Sequence, residues 1–269
     1  MATVPSKIYK YEAFTLRSIQ NLKASSLYFG SPKSFNDPYD CAIVASIAPT
    51  TREELENLRS VAITTEAYPE HVRRAIPKLT LEEFEAQIRR GALTVIDNAR
   101  EDFLRTKGVS CFSETNDHLL MWSHYGGQYK GMCLEFRTEF ALTGLLRKVK
   151  YVETMPQFEL SDFVLNKNHE KLLDLFLTKS KAWEYELEWR AMHAVAGTMY
   201  GYEPEWLSGV YFGPDIPEQD RDLVCQILYC QFPTTQIWIG RRSTEAFKVE
   251  FDKTDGYTPH AEAKRRGLV

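Results

Sequence analysis

Trp183-Glu184-Tyr185-Glu186-Leu187-Glu188-Trp189-Arg190 alternates apolar and charged residues without a break. That period of two belongs to a strand, with Trp183, Tyr185, Leu187 and Trp189 facing a core and Glu184, Glu186, Glu188 and Arg190 sharing the other side. A helix would scatter both sets. Carboxylates two residues apart on a strand lie about 7 Å apart and repel by about 2 kcal/mol at an effective dielectric of about 20. Such stacking calls for solvent, for compensating cations such as Arg190, or for a functional reason. Two readings stay open: the solvated outer face of an antiparallel sheet, or Glu186 and Glu188 projecting into a cleft.

Outward from this stretch the β-type signal recurs. Val109 to Ser113 reads as a strand, Asp117 to Tyr125 as a helix stopped by Gly126-Gly127, and Gly131 to Phe136 as another strand. Val149 to Val152 is a further short strand, and a helix is expected near Asn168 to Lys179 before the Trp183 to His193 strand. Downstream come strand Val210 to Phe212, helix Gln219 to Tyr229, and strands around Ile237 to Ile239 and Phe247 to Phe251. The chain opens with an aromatic strand at Tyr9 to Tyr11, a helix over Thr15 to Leu27, β-type residues to Phe29, and a dense turn at Phe35-Asn36-Asp37-Pro38-Tyr39-Asp40. Between Thr50 and Lys107 the pattern is helical, and Thr51-Arg52-Glu53-Glu54 and Thr80-Leu81-Glu82-Glu83 each fit a capping box. With no repeat and no long linker, the expectation is one α+β domain over residues 1–269, with mixed, largely antiparallel sheets and a helical insertion at 50–107.

Composition excludes several classes. A content of 43% hydrophobic and 13% aromatic residues fills a sizeable core, which disfavours disorder. Lys and Arg total 33 against 37 Asp and Glu, and the net charge of -4 gives no bulk drive toward nucleic acid or anionic membrane. The opening MATVPSKIYKYEAF lacks an apolar signal core, and no stretch approaches about 18 consecutive apolar residues, so a cytoplasmic protein without a membrane partner is expected. Cys41, Cys111, Cys133, Cys225 and Cys230 mostly sit in apolar runs and read as reduced core residues, without zinc-finger spacing. Walker A, G-x-G-x-x-G, H-E-x-x-H, EF-hand and G-x-S-x-G patterns are all missing.

Three clusters carry polar chemistry. Ser110-Cys111-Phe112-Ser113-Glu114-Thr115 ends a strand in hydroxyl and acidic groups; Ser113 either meets a ligand or, with Thr115, caps the next helix. Met121-Trp122-Ser123-His124-Tyr125 brings a histidine and two aromatics to a helix end, where the dipole favours an imidazolium at His124. The Asn36, Asp37 and Asp40 turn is either a rigid loop or a ligand rim.

Taken together, IYKYEAF, LYFGSPKSFNDPYD, VSCFSE, MWSHYGGQYKGMCLEF and WEYELEWR resemble the bacterial domain-of-unknown-function family 2971, some members of which look like abortive-infection, phage-defence proteins. The layout also resembles, more weakly, the ADP-ribosyltransferases. Their first strand would be Tyr9-Lys10-Tyr11, their second segment Ser25 to Ser31, their central strand Ser110 to Ser113, and their late acidic strand Glu186-Leu187-Glu188. Lys10 stands where Arg or His is common, and Ser-Cys-Phe-Ser where Ser-Thr-Ser is common.

That second resemblance implies an ADP-ribosyltransferase-like fold and NAD as co-substrate. Glu188 would stabilise an oxocarbenium-like ribose and Glu186 would orient or deprotonate an acceptor macromolecule, protein or nucleic acid. Tyr9, Lys10, Tyr11, Asn36, Asp37, Ser113, His124 and Tyr125 would contact the nucleotide, and no metal takes part. Glu188→Gln would then cost turnover with little loss of stability. Two alternatives come from other classes: a non-catalytic ligand- or partner-binding module, and a magnesium-dependent hydrolase or nuclease using Asp37, Asp40, Glu186 and Glu188.

Overall fold

A computed structural model describes residues 3–42, 44–139, 144–164 and 169–267. In chain order the elements are β1 (Lys7–Glu12), α1 (Leu16–Lys23), β2 (Ser26–Phe29), β3 (Ser46–Ile47), α2 (Arg52–Thr64), α3 (Glu70–Ala75), α4 (Leu81–Thr106), β4 (Gly108–Ser113), α5 (Leu119–His124), β5 (Met132–Arg137), β6 (Leu146–Lys148) and β7 (Lys150–Val152). Then follow β8 (Gln157–Phe158), α6 (Ser161–Val164), α7 (His169–Leu175), β9 (Thr178–Ser180), β10 (Glu188–His193), β11 (Thr198–Gly201), β12 (Leu207–Phe212), α8 (Glu218–Gln231), β13 (Gln236–Arg242), β14 (Val249–Lys253) and α9 (His260–Arg265). The fold is mixed α and β. Among the described residues no helix is long and apolar enough to cross a membrane.

The chain divides into two compact units. The first comprises residues 1–30, 108–149 and 182–269, and the second residues 31–107 and 150–181. The helical stretch read at 50–107 thus falls in the second unit, together with 31–49 and 150–181.

The first unit is built on an eight-stranded sheet in the order β14-β13-β12-β5-β1-β4-β10-β6, antiparallel except where β12 runs parallel to β13. Alternation sorts the strands' residues onto two faces. Ile8, Phe112, Leu134, Phe136, Trp189, Ala191, Val210 and Phe212 share the core face, joined by Leu22, Val224 and Leu228 from α1 and α8. On the other face Tyr11, Cys133 and Tyr211 pack beneath Met121 and Trp122 of α5 and Val249 of β14. Glycine permits the turn after α5: a Cβ on Gly126 would stand 2.6 Å from the Trp122 ring, and Gly127 has φ +60°. The expected stop of that helix is there.

The second unit gathers α2, α3, α4, α6 and α7 around Leu55, Leu58, Phe84, Ile96, Phe158 and Leu175. Both expected capping boxes form: the Thr51 and Thr80 hydroxyls accept from the Glu54 and Glu83 amides, and each glutamate accepts in return from the threonine amide. Asp40 and Lys179, both 3% exposed, form a buried ion pair at 3.1 Å. Of the helix expected at Asn168 to Lys179, Asn168 lies outside the described residues, α7 ends at Leu175, and Thr178 to Ser180 is β9, parallel to β7. All five cysteines are free, and Cys230 is exposed, so it is not the core residue its apolar neighbours suggested.

Candidate active site on the polar face of the sheet

The alternating stretch splits in two. Lys181–Glu186 is a 3-10 helix, Leu187 takes the left-handed region at φ +46°, and the strand begins only at Glu188. The strand expected from Trp183 is therefore corrected over its first residues. Glu184 stays exposed in solvent, whereas Glu186 and Glu188 are 2% and 4% exposed, so the three carboxylates do not form one solvated face. Leu187 lacks glycine's freedom, and its positive φ is local strain between the two buried acids.

Register brings the polar groups into line. Tyr9 of β1 and Glu188 of β10 are both directly opposite Ser113 of β4, and Glu135 of β5 is directly opposite Tyr9. Directly opposed residues of antiparallel strands project from the same face. One row across four strands thus reads Glu188, Ser113, Tyr9, Glu135. The strands carrying Tyr9, Ser113 and Glu188 are neighbours although the residues are far apart in sequence.

The two acids of the Glu186-Leu187-Glu188 segment are held differently. Arg190, fully buried, donates from Nε to Glu188 Oε1 at 2.8 Å and from Nη2 to Oε2 at 2.9 Å, a bidentate pair. Tyr125 donates its hydroxyl to Glu186 Oε1 at 2.6 Å. Ser113 Oγ donates to the Glu186 carbonyl at 2.7 Å and accepts from the Thr115 amide at 3.2 Å, so it ties the 3-10 segment to the central strand. Glu188→Gln would remove the carboxylate charge from a fully buried bidentate pair, which sets a stability cost beside the expected loss of turnover.

A group of partly exposed rings adjoins the acids. His118 stacks on Tyr185 with centroids 5.1 Å apart, and Trp183 lies 5.9 Å from Tyr185 and 6.0 Å from His124. His124 is exposed, and Tyr125 is half-buried beside it.

The other expected contact residues are held by partners of their own. Lys10 alternates away from Tyr9 and Tyr11: its amine reaches the Cys111 carbonyl at 3.4 Å and the Phe112 ring at 5.5 Å, on the core face. Tyr11 shares Tyr9's face but is packed edge-on against Trp122 and donates to the Thr115 carbonyl at 3.0 Å, with burial raising its hydroxyl pKa well above the usual tyrosine range. Asn36 and Asp37 belong to the second unit, where Asp37 Oδ1 accepts from the Tyr39 amide at 2.9 Å, the local turn its sequence suggested. Among the described residues no group of three or more His, Cys, Asp or Glu side chains is placed to hold a metal ion.

Glu135 escaped the sequence reading. Its Oε1 accepts from Ser208 Oγ at 2.7 Å and meets Lys7 Nζ at 2.8 Å, while Oε2 accepts from the Tyr211 hydroxyl at 2.7 Å. Burial pushes its carboxyl pKa up, but the hydrogen bonds from Lys7, Ser208 and Tyr211 outweigh burial and hold it below the usual carboxylate value. Burial, with the Glu135 charge beside it, raises the Tyr9 hydroxyl above the usual tyrosine range. A lone acid inside the apolar run Met132-Cys133-Leu134-Glu135-Phe136 was the available signal, since such a residue needs buried donors.

The comparisons meet this site. Residues 121–191, which carry Tyr125, Glu135, Glu186, Glu188 and Arg190, match the family model DUF2971, a protein family of unknown function. The resemblance to that family holds over this stretch. No curated protein matches the chain, and no solved structure does.

Proposed function

We propose that the protein is an NAD-using ADP-ribosyltransferase-like enzyme whose reaction centre is the Glu188 end of the polar row. The observation that carries this reading is the shared register of Tyr9, Ser113 and Glu188 on adjacent strands. Cleavage of the nicotinamide–ribose bond releases nicotinamide and leaves an electron-poor ribose carbon. A fixed carboxylate stabilises that developing cation more than it stabilises the ground state. Glu188 is fixed in this sense by the two guanidinium bonds of Arg190. Glu186 would take the proton of the acceptor nucleophile as the new bond to ribose forms, exchanging the Tyr125 hydrogen bond to do so. The rings of His118, Trp183, Tyr185 and His124 suit stacking against the flat groups of a nucleotide. Strain at Leu187, between the two acids, is of the kind that accumulates at working sites. Phage defence or a toxin system is the setting proposed, with a macromolecular acceptor.

Burial of both acids favours a second reading, a non-catalytic module in which the row is structural and the aromatic group is the binding surface. Incubation of the full chain with NAD, followed by assay for free nicotinamide and by thermal shift, separates the two. Release of nicotinamide supports the enzyme, a raised Tm without release supports the module, and neither response rejects the NAD reading.

A further inference from the structure

The second unit carries a half-open cavity of about 430 Å³ between α2, α3, α4, α6 and α7, lined by Phe84, Ile88, Ala92, Phe158, Phe163 and Leu172 among others. Interiors pack with few voids larger than a water molecule, whereas ligand pockets run from about 300 to about 1,000 Å³. An apolar cavity of about 150 Å³ already accommodates one benzene ring. The volume here is that of a binding site for a molecule with a mostly apolar body.

Two details define its mouth and its polar end. Gln87, Gly91 and Val95 follow one another at four-residue spacing along α4 and line the cavity on its exposed side. Glycine in a helix interior is unfavourable, and a Cβ on Gly91 would meet nothing within 4 Å. Packing therefore does not require the glycine, and the space beside it at the cavity's edge is open. At the polar end, Asp162 is 9% exposed. Lys171 Nζ meets its Oδ1 at 2.7 Å and its Oδ2 at 2.6 Å, and the Glu159 amide donates to Oδ2 at 3.0 Å. A carboxylate accepts about four hydrogen bonds, which leaves Oδ1 with room for one further donor. Lys171 already balances the charge, so a charged head of either sign would lose its hydration without gaining an uncompensated partner.

We infer that the helical unit binds a small amphiphile with an apolar body and an uncharged hydrogen-bond donor, a primary alcohol, whose hydroxyl donates to Asp162 Oδ1. This site is independent of the Glu188 reading.

The full chain is titrated with the apolar fluorophore N-phenyl-1-naphthylamine, which is then displaced by decanol, decylamine or decanoate. Saturable fluorophore binding is expected, with decanol displacing it at concentrations about ten-fold or more below those of the amine and the carboxylate. Gly91→Leu fills the mouth while improving helix propensity. It should weaken fluorophore and decanol binding ten-fold or more with an unchanged or raised Tm, and Val95→Trp, at an exposed position of the same mouth, should do the same. No saturable binding, or binding that survives both substitutions, would overturn the site. Preference for decanoate or decylamine would overturn the alcohol assignment.

Discussion

Arg190→Met isolates the energetics on which the polar row depends. The guanidinium is fully buried, the Glu188 carboxylate is 5% exposed, and the two share a bidentate pair. Removing one partner of such a pair costs about 3–5 kcal/mol, because the other charge stays buried while it loses its bidentate partner. For a body of this size that is a fall in Tm on the order of 10 °C. All five tryptophans, Trp122, Trp183, Trp189, Trp206 and Trp238, lie in the first unit, so tryptophan fluorescence during urea unfolding reports on that body. Adding Glu188→Leu to Arg190→Met removes both charges and should recover about 2 kcal/mol or more, a coupling expected only of residues in direct contact. The reasoning fails if Arg190→Met lies within about 1 kcal/mol of the parent, or if the double variant is as unstable as the two single losses added together.

Three further outcomes follow from the geometry. The Glu135 carboxyl has a folded-state pKa below its ordinary value, so its contribution to stability is present above the ordinary carboxylate range and lost as pH falls through the folded value; Glu135→Gln should flatten the acid side of the urea midpoint plotted against pH. Gly131→Ala would put a Cβ 2.2 Å from the Glu12 carbonyl oxygen and should cost about 1–3 kcal/mol or more, read by tryptophan fluorescence. Thr80→Ala removes the hydroxyl that accepts from the Glu83 amide at 3.1 Å and should cost the second unit about 1 kcal/mol, read by far-UV circular dichroism because that unit has no tryptophan.

Much of the secondary structure was legible because it is governed by local rules. The capping boxes at Thr51 and Thr80, the glycine stop after His124, and the apolar period of β4 and β5 each act within a few residues. Strand order is different, since β1 between β4 and β5 and the parallel partnership of β12 with β13 depend on distant pairing. The Glu184 to Arg190 pattern misled over its first half because a 3-10 turn and a positive φ at Leu187 interrupt a perfect alternation, and alternation alone does not report either. Lys10 was grouped with Tyr9 by adjacency, although period two puts neighbours on opposite faces. Glu135 was hidden because its donors come from two other strands, Lys7 from β1 and Ser208 and Tyr211 from β12. Arg190 was legible as a counter-charge, but its bidentate geometry is visible only once Glu188 begins the strand.

The central claim is that Glu188 stabilises a ribose cation formed only in the transition state. Its most direct test is the rate of nicotinamide release from NAD by the parent, Glu188→Gln and Glu184→Gln proteins, measured at a temperature where tryptophan fluorescence shows each to be folded. Loss of the Glu188 charge should slow release on the order of 100-fold while NAD binding changes little, and Glu184→Gln, at an exposed position, should match the parent. A parent that releases no nicotinamide, or a folded Glu188→Gln protein that releases it at the parent's rate, would contradict the account.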